Sequence, residues 1–318
     1  MVKDNGGAIA QKGFNYQTSV ICLVAIRNYE KSNFTIYVET DDDFEVLYDK
    51  NNHAYIQVKG TKRVGINTLL KGKEGKSILE KNLSSGEDDS LYKVVVYNFN
   101  ETDKKEMQEQ TKEEELFYNS WLFSEKQKRR IIDRIGNDLG VRTDNFAIII
   151  TDFKNDFRSA NTYLKGEMVN QKISVSDNRD EIILSELRTL ITQRAEKEIR
   201  TDKDKSLKKI TTEDLSRIFH KEKSKESFDK ELESLNITSY KKKKIKNQEL
   251  KIPLYYYSHK EIIVNWLKEN EYRLEEEDLQ SLISDLFKIE QIKHLCEDTR
   301  YAICISAYCD VLEGVFDE

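Results

Sequence analysis

The apolar and polar positions between residues 34 and 60 predict two short strands joined by a turn. The first strand runs through residues 39 to 43, with the sequence ETDDD, into the alternating residues 44 to 48. We call residues 39 to 43 the acidic segment. Polar turn residues follow, and residues 54 to 59 form the second strand. The pattern therefore predicts a hairpin that brings the acidic segment beside the second strand.

The second strand has two faces of different chemistry. Because side chains alternate along a strand, Ile56 and Val58 share one face, and Tyr55, Gln57 and Lys59 share the other. The apolar pair requires a core. The same pleat therefore aims an amide and an ammonium group at one place.

Strand and helix patterns alternate through the next part of the chain. Continuous apolar runs predict buried strands over residues 93 to 99 and 145 to 151. Apolar residues at helical spacing predict helices over residues 14 to 29, 120 to 139 and 181 to 199. Residues 100 to 116 are almost wholly polar, which predicts an exposed helix or loop. This order predicts an α/β fold with a mixed sheet flanked by helices.

The last third of the chain is predicted to be a smaller, mostly α-helical region. Residues 200 to 206 are charged and are interpreted as a linker, so the predicted domains are residues 1–200 and 201–318. Residues 301 to 312 are apolar nearly all round, which indicates a helix that is buried or lies in a subunit interface. The lysine-rich run 241 to 246 is interpreted as a solvated face, with nucleic-acid contact as the alternative.

Composition narrows the class of protein. The 318 residues are 35% charged and carry a net charge of −6, so contact with nucleic acid requires local basic patches. No segment approaches the roughly 20 apolar residues of a membrane span, and the N-terminus lacks a signal-peptide pattern. Four cysteines without framework spacing indicate a reducing compartment, so we predict a cytoplasmic protein.

The hairpin carries candidate chemistry, because it places Asp43 beside Gln57 and Lys59. A carboxylate and an amide oxygen suit Mg²⁺, which takes few protein ligands and keeps several waters. A lysine next to such a metal steadies an attacking water or the charge that builds on a phosphate. The alternative is a surface hairpin with solvated charges.

These residues resemble the PD-(D/E)xK nuclease superfamily in the variant in which glutamine replaces the second acid. The N-terminal sequence GGAIAQKGFNYQ at residues 6 to 17 adds a second resemblance. It is similar to the start of the double-stranded-DNA endonuclease effector domain of bacterial antiphage defence, found in CBASS and Lamassu-type systems. The acidic strand and the QVK strand follow in the order of that family. The resemblance implies a restriction-endonuclease-like fold over residues 1–200.

The resemblance also implies roles for individual residues. Asp43, Gln57 and the backbone carbonyl of Val58 would bind Mg²⁺, with Mn²⁺ as the alternative, and Lys59 would act on water or the scissile phosphate. The supporting residues are Glu39 and Asp42, which would bind the metal directly or through water. Gln17, one turn into the first helix, is a further supporting residue placed to reach the active site, with a helix-surface amide as the alternative. Asp42 and Asp43 both remain candidates for the main acid. Asp43 leads because it directly precedes the strand.

A basic, glycine-containing segment follows the second strand. From residue 59 to 81 there are seven basic residues against two acidic ones. Such a segment is suited to lie along a phosphate backbone. The alternative is a solvated loop with a short helix at residues 77 to 83. The predicted DNA contacts are Lys62, Arg63, Lys71, Lys73 and Lys76.

The resemblance also implies how the nuclease is controlled. CBASS members of the family carry a C-terminal sensor domain, and the plain helical region here fits better a Lamassu-like effector. Such an effector would be held inactive by an SMC-like ATPase with accessory defence subunits and would act as a homo-oligomer. The alternatives are a cyclic-oligonucleotide-gated CBASS effector and a catalytically silent subunit that binds DNA or protein.

Two further groups of residues have ordinary interpretations. His294, Cys296, Cys304 and Cys309 lack the spacing of a zinc knuckle, and we interpret the cysteines as small core residues. His53 is interpreted as a turn residue, with a proton carrier as the alternative.

Overall fold

The computed structural model describes residues 5–49, 52–72, 75–111, 116–173 and 179–315, apart from the side chains of residue 202 and residues 221–223. Two compact units divide the chain, Met1–Leu215 and Ser216–Glu318. The predicted domains, 1–200 and 201–318, stay a prediction. Among the described residues no helix is both long enough and apolar enough to cross a membrane.

The first unit is built on a mixed eight-stranded sheet. The strands are β1 (Thr35–Val38), β2 (Phe44–Tyr48), β3 (Asn52–Lys59), β4 (Leu91–Val96), β5 (Gln108–Thr111), β6 (Asn119–Leu122), β7 (Phe146–Ile150) and β8 (Lys209–Thr211). Their order across the sheet is β5-β6-β7-β4-β3-β2-β1-β8. Strand β4 pairs in parallel with β3 and β7, and the other pairs are antiparallel. The predicted α/β fold with a mixed sheet is confirmed.

Helices cover the sheet. They are α1 (Gly6–Asn28), α2 (Ile66–Leu69), α3 (Ile78–Ser84), α4 (Glu101–Lys105), α5 (Glu125–Ile135), α6 (Asn137–Gly140), α7 (Phe157–Asn170), α8 (Arg179–Ala195) and the start of α9 (Thr212–Ser234). Helix α1 packs on β3, α7 and α8. Leu79 and Leu83 of α3 pack with Tyr55 and Tyr92 in a further core cluster. The central strands are buried by this packing, as their continuous apolar runs predict.

The helix predicted over residues 120 to 139 is wrong at its start. Residues of β6 occupy this part, and Trp121 lies opposite Ile148 of β7. Helix α5 begins only after Ser124, whose hydroxyl accepts a hydrogen bond from the Gln127 amide while the Gln127 side chain accepts one from the Ser124 amide. This reciprocal cap fixes the helix start, and the residues before it stay extended.

The predicted linker over residues 200 to 206 is also wrong. Residues Asp202–Lys208 form a 3₁₀ helix, and β8 follows directly and pairs with β1, with Ile210 opposite Ile36. The acidic segment lies between β1 and β2, so the predicted two-stranded hairpin is a three-stranded meander of β1, β2 and β3. The polar region after residue 100 forms α4 and the edge strand β5, and residues 112–115 lie outside the described residues.

The second unit is helical, as predicted. It contains most of α9, then α10 (Ser239–Glu249), a π-helical turn (Ile252–Tyr256), α11 (Tyr257–Glu269), α12 (Tyr272–Glu276), α13 (Leu279–Leu286) and α14 (Glu297–Leu312). Helix α14 is buried nearly throughout, and Cys304 and Cys309 are fully buried in its core cluster. The apolar residues of α14 are thus covered within this unit, which favours the buried alternative. No cluster of three His, Cys, Asp or Glu side chains suited to a metal occurs in the described ranges.

The lysine-rich run of α10 is largely neutralised within the same unit. Lys241 lies 2.6 Å from Glu297, Lys242 lies 3.0 Å from Glu233, and Lys246 lies 2.8 Å from Asp229. Paired lysines carry little net field toward a phosphate backbone. The geometry therefore favours a solvated face over a nucleic-acid contact.

Candidate active site

The pairing of β2 with β3 brings the acidic segment to the end of β3. Phe44 lies opposite Ile56, so the chain at Asp43 runs alongside the end of β3 that carries Gln57. The Val58 amide donates a 2.6 Å hydrogen bond to Asp43 Oδ2, and Lys59 Nζ lies 3.8 Å from the same oxygen. Both charged side chains stay partly open to solvent, at 22% and 26% exposure. This carboxylate and this ammonium group are therefore placed together at an accessible edge of the site.

Asp42 is held by different partners. Its Oδ1 accepts a 3.0 Å hydrogen bond from the Asp43 amide, and its Oδ2 accepts one from Asn82 Nδ2 of α3. Burial, together with the charge of Asp43, raises the pKa of Asp42 to about 7 against the hydrogen bond from Asn82. The two neighbouring aspartates thus have different environments, and Asp43 is the one beside Lys59.

Gln57 carries an unsatisfied oxygen. The residue is only 8% exposed, and its Oε1 is buried without a hydrogen-bond partner in the described structure. A buried polar atom without a partner costs free energy, so such an atom in a folded protein requires an explanation. An amide oxygen facing a cation supplies one, because oxygen is the ligand that Mg²⁺ prefers. The residues at this place fit a divalent cation.

Two neighbouring residues of the N-terminal motif, Tyr16 and Gln17 of α1, contact the site. Gln17 Nε2 donates a 2.5 Å hydrogen bond to Glu39 Oε1 and a 3.3 Å one to the Asp43 carbonyl. Tyr16 packs under Gly60, where an added Cβ would lie 3.3 Å from the tyrosine ring. Gln17 therefore orients the acidic segment, and Tyr16 supports the chain immediately after Lys59.

Replacing Tyr16 by phenylalanine is expected to lower the free energy of unfolding by about 1 kcal/mol, the usual worth of a buried hydrogen bond. The Tyr16 hydroxyl lies 2.7 Å from Thr151 Oγ1, and the Thr151 hydroxyl also donates to the Phe153 carbonyl. The variant removes the first of these bonds and keeps the aromatic packing. Urea unfolding of the two proteins measures the difference, and equal unfolding midpoints would contradict the expectation.

Three polar residues at the site were not predicted as parts of it. Asn82 is fully buried on α3 between Leu79 and Leu83, and Glu45 is fully buried on β2. Lys205, in the segment interpreted as a linker, lies 2.9 Å from Glu45. A polar residue at an apolar position of the helical pattern was the available signal for Asn82, whereas Glu45 occupies the polar position of its strand pattern and carries no such signal. Nothing in the local pattern marks Lys205.

The buried Glu45 carboxylate accepts several hydrogen bonds next to the acidic segment. It accepts from the Thr40 hydroxyl, from the Asp41 amide at 3.2 Å and from Lys205, and its Oε2 lies 2.9 Å from His53 Nε2. Burial raises the pKa of Glu45, but these donors outweigh it and hold the pKa at about 2. His53 belongs to β3, so its interpretation as a turn residue is wrong.

The predicted DNA-contact segment lies between β3 and α3. Lys62, Arg63, Lys71 and Lys76 are exposed, and Lys73 lies outside the described residues. Lys76 donates to Ser84 of α3 at 3.1 Å. The short helix predicted at residues 77 to 83 is present as α3. The segment therefore combines exposed cations with a link to the helix that holds Asn82.

Comparisons with known proteins agree with the resemblance found in the sequence. Residues 5–153 match the family described as Cap4, dsDNA endonuclease domain. The Lamassu protein LmuA of Bacillus sp. (strain NCIM 5461 / CCTCC AB 2011126 / NIO-1130) is 42% identical over 261 residues, which cover 81% of this chain and 82% of that protein. No solved structure matches. The predicted family is confirmed: the chain belongs to the family of the Lamassu protein LmuA and carries a double-stranded-DNA endonuclease domain of an antiphage effector.

Proposed function

We propose that this antiphage nuclease effector is a metal-dependent endonuclease that hydrolyses phosphodiester bonds of double-stranded DNA. The observation that carries the proposal is the buried, unpartnered Oε1 of Gln57, on the strand whose Val58 amide and Lys59 side chain contact Asp43. An oxygen held without a donor, on the same strand end as a carboxylate–ammonium pair, suits a site for a cation and a phosphate.

Asp43, Gln57 and the Val58 carbonyl would hold Mg²⁺, with Mn²⁺ as the alternative. Glu39, which accepts a hydrogen bond from Gln17, and Asp42 would bind directly or through water. The metal would supply Lewis-acid stabilisation of the phosphoryl oxygens and lower the pKa of a bound water.

The chain's own residues perform the remaining work. Asp43 is fixed by the Val58 amide, so its orientation does not have to be selected during the reaction. Lys59 shares this site and would hold the attacking water or the charge that develops on the scissile phosphate. Gln17 bonds both Glu39 and the Asp43 carbonyl, so it keeps the acidic segment in one conformation.

A plasmid-cleavage assay of the purified chain tests this function. With Mg²⁺ present we expect supercoiled DNA to become nicked and then linear, and with a chelator in place of Mg²⁺ we expect the DNA to stay supercoiled. The assay is run over a range of protein concentrations, because the active nuclease is expected to be a homo-oligomer. Cleavage that persists fully in the chelator would contradict the role of the metal.

Removing the basic side chains Lys62, Arg63 and Lys71 is expected to weaken DNA binding by roughly tenfold or more near physiological salt. Each neutralised phosphate contributes about 0.9 to the slope of log K against log[salt], so the slope should fall by about 2 to 3. Fluorescence anisotropy with a DNA duplex, measured without metal over a salt series, gives both quantities.

The matched control removes the same charge from exposed lysines elsewhere, namely Lys197, Lys203 and Lys243. This control should keep the affinity within about twofold and the salt slope within 1, because it leaves the charges of the basic segment in place. Equal losses in the two triple variants would mean that net charge, and no local contact, sets DNA binding.

We also infer that the chain acts with defence partners in the cytoplasm. The relative LmuA is a Lamassu protein, which supports control by an SMC-like ATPase and accessory subunits. The homo-oligomer expected for the active nuclease is tested by sedimentation of the purified chain, alone and with the neighbouring gene products. A strictly monomeric chain that cuts DNA would contradict the oligomer.

A further inference from the structure

The acidic segment is a tight connection that needs support from outside itself. The Glu39 amide donates to the Asp43 carbonyl at 3.0 Å, and Glu39 has a φ of 53°. Side-chain-bearing residues adopt this left-handed conformation at a cost, and it persists when surrounding contacts fix it. The segment also places four carboxylates within five residues, which repel one another.

The support comes from Glu45 and Lys205. The Lys205 ammonium group lies 2.9 Å from Asp41 Oδ2 and 2.9 Å from Glu45 Oε2. The Glu45 side chain is fully buried, and it also accepts hydrogen bonds from Thr40 and from the Asp41 amide. One ammonium group thus joins the acidic segment to the buried carboxylate beneath it.

Lys205 comes from a part of the chain outside the matched endonuclease residues 5–153. It lies in the 3₁₀ helix that precedes β8, and β8 pairs with β1, the strand that leads into the acidic segment. The Thr212 hydroxyl, at the start of α9, donates to the Phe34 carbonyl at 3.1 Å just before β1. The stretch that carries Lys205 is therefore held at the edge of the sheet, by the pairing of β8 with β1 and by the Thr212 hydrogen bond that follows it.

We propose that Lys205 is a positioning residue of the nuclease site, which holds the acidic segment so that Asp43 reaches the Val58 amide and faces Lys59. The inference rests on the proposed function for its catalytic consequence. The positioning of the acidic segment by Lys205 does not depend on that function. It also means that the stretch leading into α9 is required for a complete site.

Loss of the Lys205 charge acts first on the acidic segment. Without it, buried Glu45 would lack its ammonium partner, and Asp41 would be released on the surface side. The hydrogen bond from the Val58 amide to Asp43 would then open more often. Because Val58 lies beyond the last β2–β3 pair, at Phe44 and Ile56, this bond reports directly on the position of Asp43.

The test compares Lys205→Met and Lys205→Arg with the parent chain. Lys209→Met is the matched control, because Lys209 lies on the adjacent strand β8 and makes no ion pair in the described part of the chain. The first readout is hydrogen exchange of the Val58 amide in metal-free protein. We expect exchange at least tenfold faster in Lys205→Met, close to the parent rate in Lys205→Arg, and unchanged in Lys209→Met.

The second readout is plasmid cleavage with a Mg²⁺ titration. We expect Lys205→Met to lower kcat by roughly ten- to a hundredfold and to raise the Mg²⁺ concentration for half-maximal rate, with KM for DNA unchanged within about twofold. Lys205→Arg should restore most of the rate. A merely structural role would lower thermal stability without this split between kcat and KM.

The outcomes separate the two ideas. Unchanged Val58 exchange in Lys205→Met overturns the positioning role, whether or not the parent chain cuts DNA. If Val58 exchanges faster in Lys205→Met but the parent chain never cleaves DNA, the result supports the positioning of the acidic segment by Lys205 and counts against the proposed function. If Lys205→Met does not fold, Lys205→Gln replaces it, and the same exchange and kcat criteria apply.

Discussion

Replacing Lys59 by alanine is expected to lower plasmid cleavage by roughly a hundred- to a thousandfold, the usual cost of losing one preorganised charge-stabilising group. Lys59 lies at the end of β3, 3.8 Å from Asp43. Gln57, two residues before it, supplies the unpartnered oxygen that would help to hold the metal, and the Lys59 ammonium group would stabilise the charge that develops on the scissile phosphate. DNA affinity measured without metal should change by no more than about threefold, because one phosphate contact at most is lost.

The Lys59→Ala experiment has a matched control in Lys197→Ala, which removes an exposed lysine of the same unit. Lys197→Ala should cleave at the parent rate. Lys59→Arg keeps the charge on a planar, bulkier group and should recover only part of the rate. Full cleavage by Lys59→Ala would exclude a catalytic role for this lysine and would favour a site elsewhere in the chain.

Replacing Asp43 by asparagine is expected to abolish metal-dependent cleavage while the fold is kept. The asparagine oxygen can still accept the Val58 amide hydrogen bond, so the variant removes the charge and preserves the contact. Metal stabilisation is worth several kcal/mol, and about 1.4 kcal/mol corresponds to a factor of ten in rate, so the loss should reach roughly a hundred- to a thousandfold or more.

Calorimetric titration with Mn²⁺ provides a readout that does not depend on cleavage. Asp43→Asn should lose most of the binding heat that the parent chain gives. Asp138→Asn, an exposed aspartate on α6, is the matched control and should titrate like the parent. Unchanged Mn²⁺ binding in Asp43→Asn would show that Asp42 or Glu39 is the principal acid.

The acidic segment explains why two neighbouring aspartates require separate tests. Asp42 faces Asn82 and is desolvated, whereas Asp43 accepts the Val58 amide and remains partly exposed. Asp43 is therefore the aspartate whose carboxylate is both partly exposed and beside Lys59. The difference between the two residues comes from their partners and is invisible in the sequence DDD.

Several features of this protein follow from the sequence by itself. The period of two in β2 and β3 and the apolar runs of β4 and β7 predicted the strands, because local alternation and burial are properties of a few consecutive residues. The same period placed Gln57 two residues from Lys59, and the short meander kept Asp43 close to both. The motif at residues 6 to 17 and the QVK strand also indicated the nuclease family, which the comparisons confirmed.

The tertiary structure alone decided the contacts that join distant parts of the chain. The linker interpretation of residues 200 to 206 failed because these residues form a 3₁₀ helix that leads directly into β8, and β8 becomes a strand only where the edge strand β1 offers its backbone groups. Asn82 reaches Asp42 from α3, and Lys205 reaches Glu45 from beyond α8. Local periodicity carries no information about such pairs, because the two residues are far apart in the sequence and only the fold brings them together.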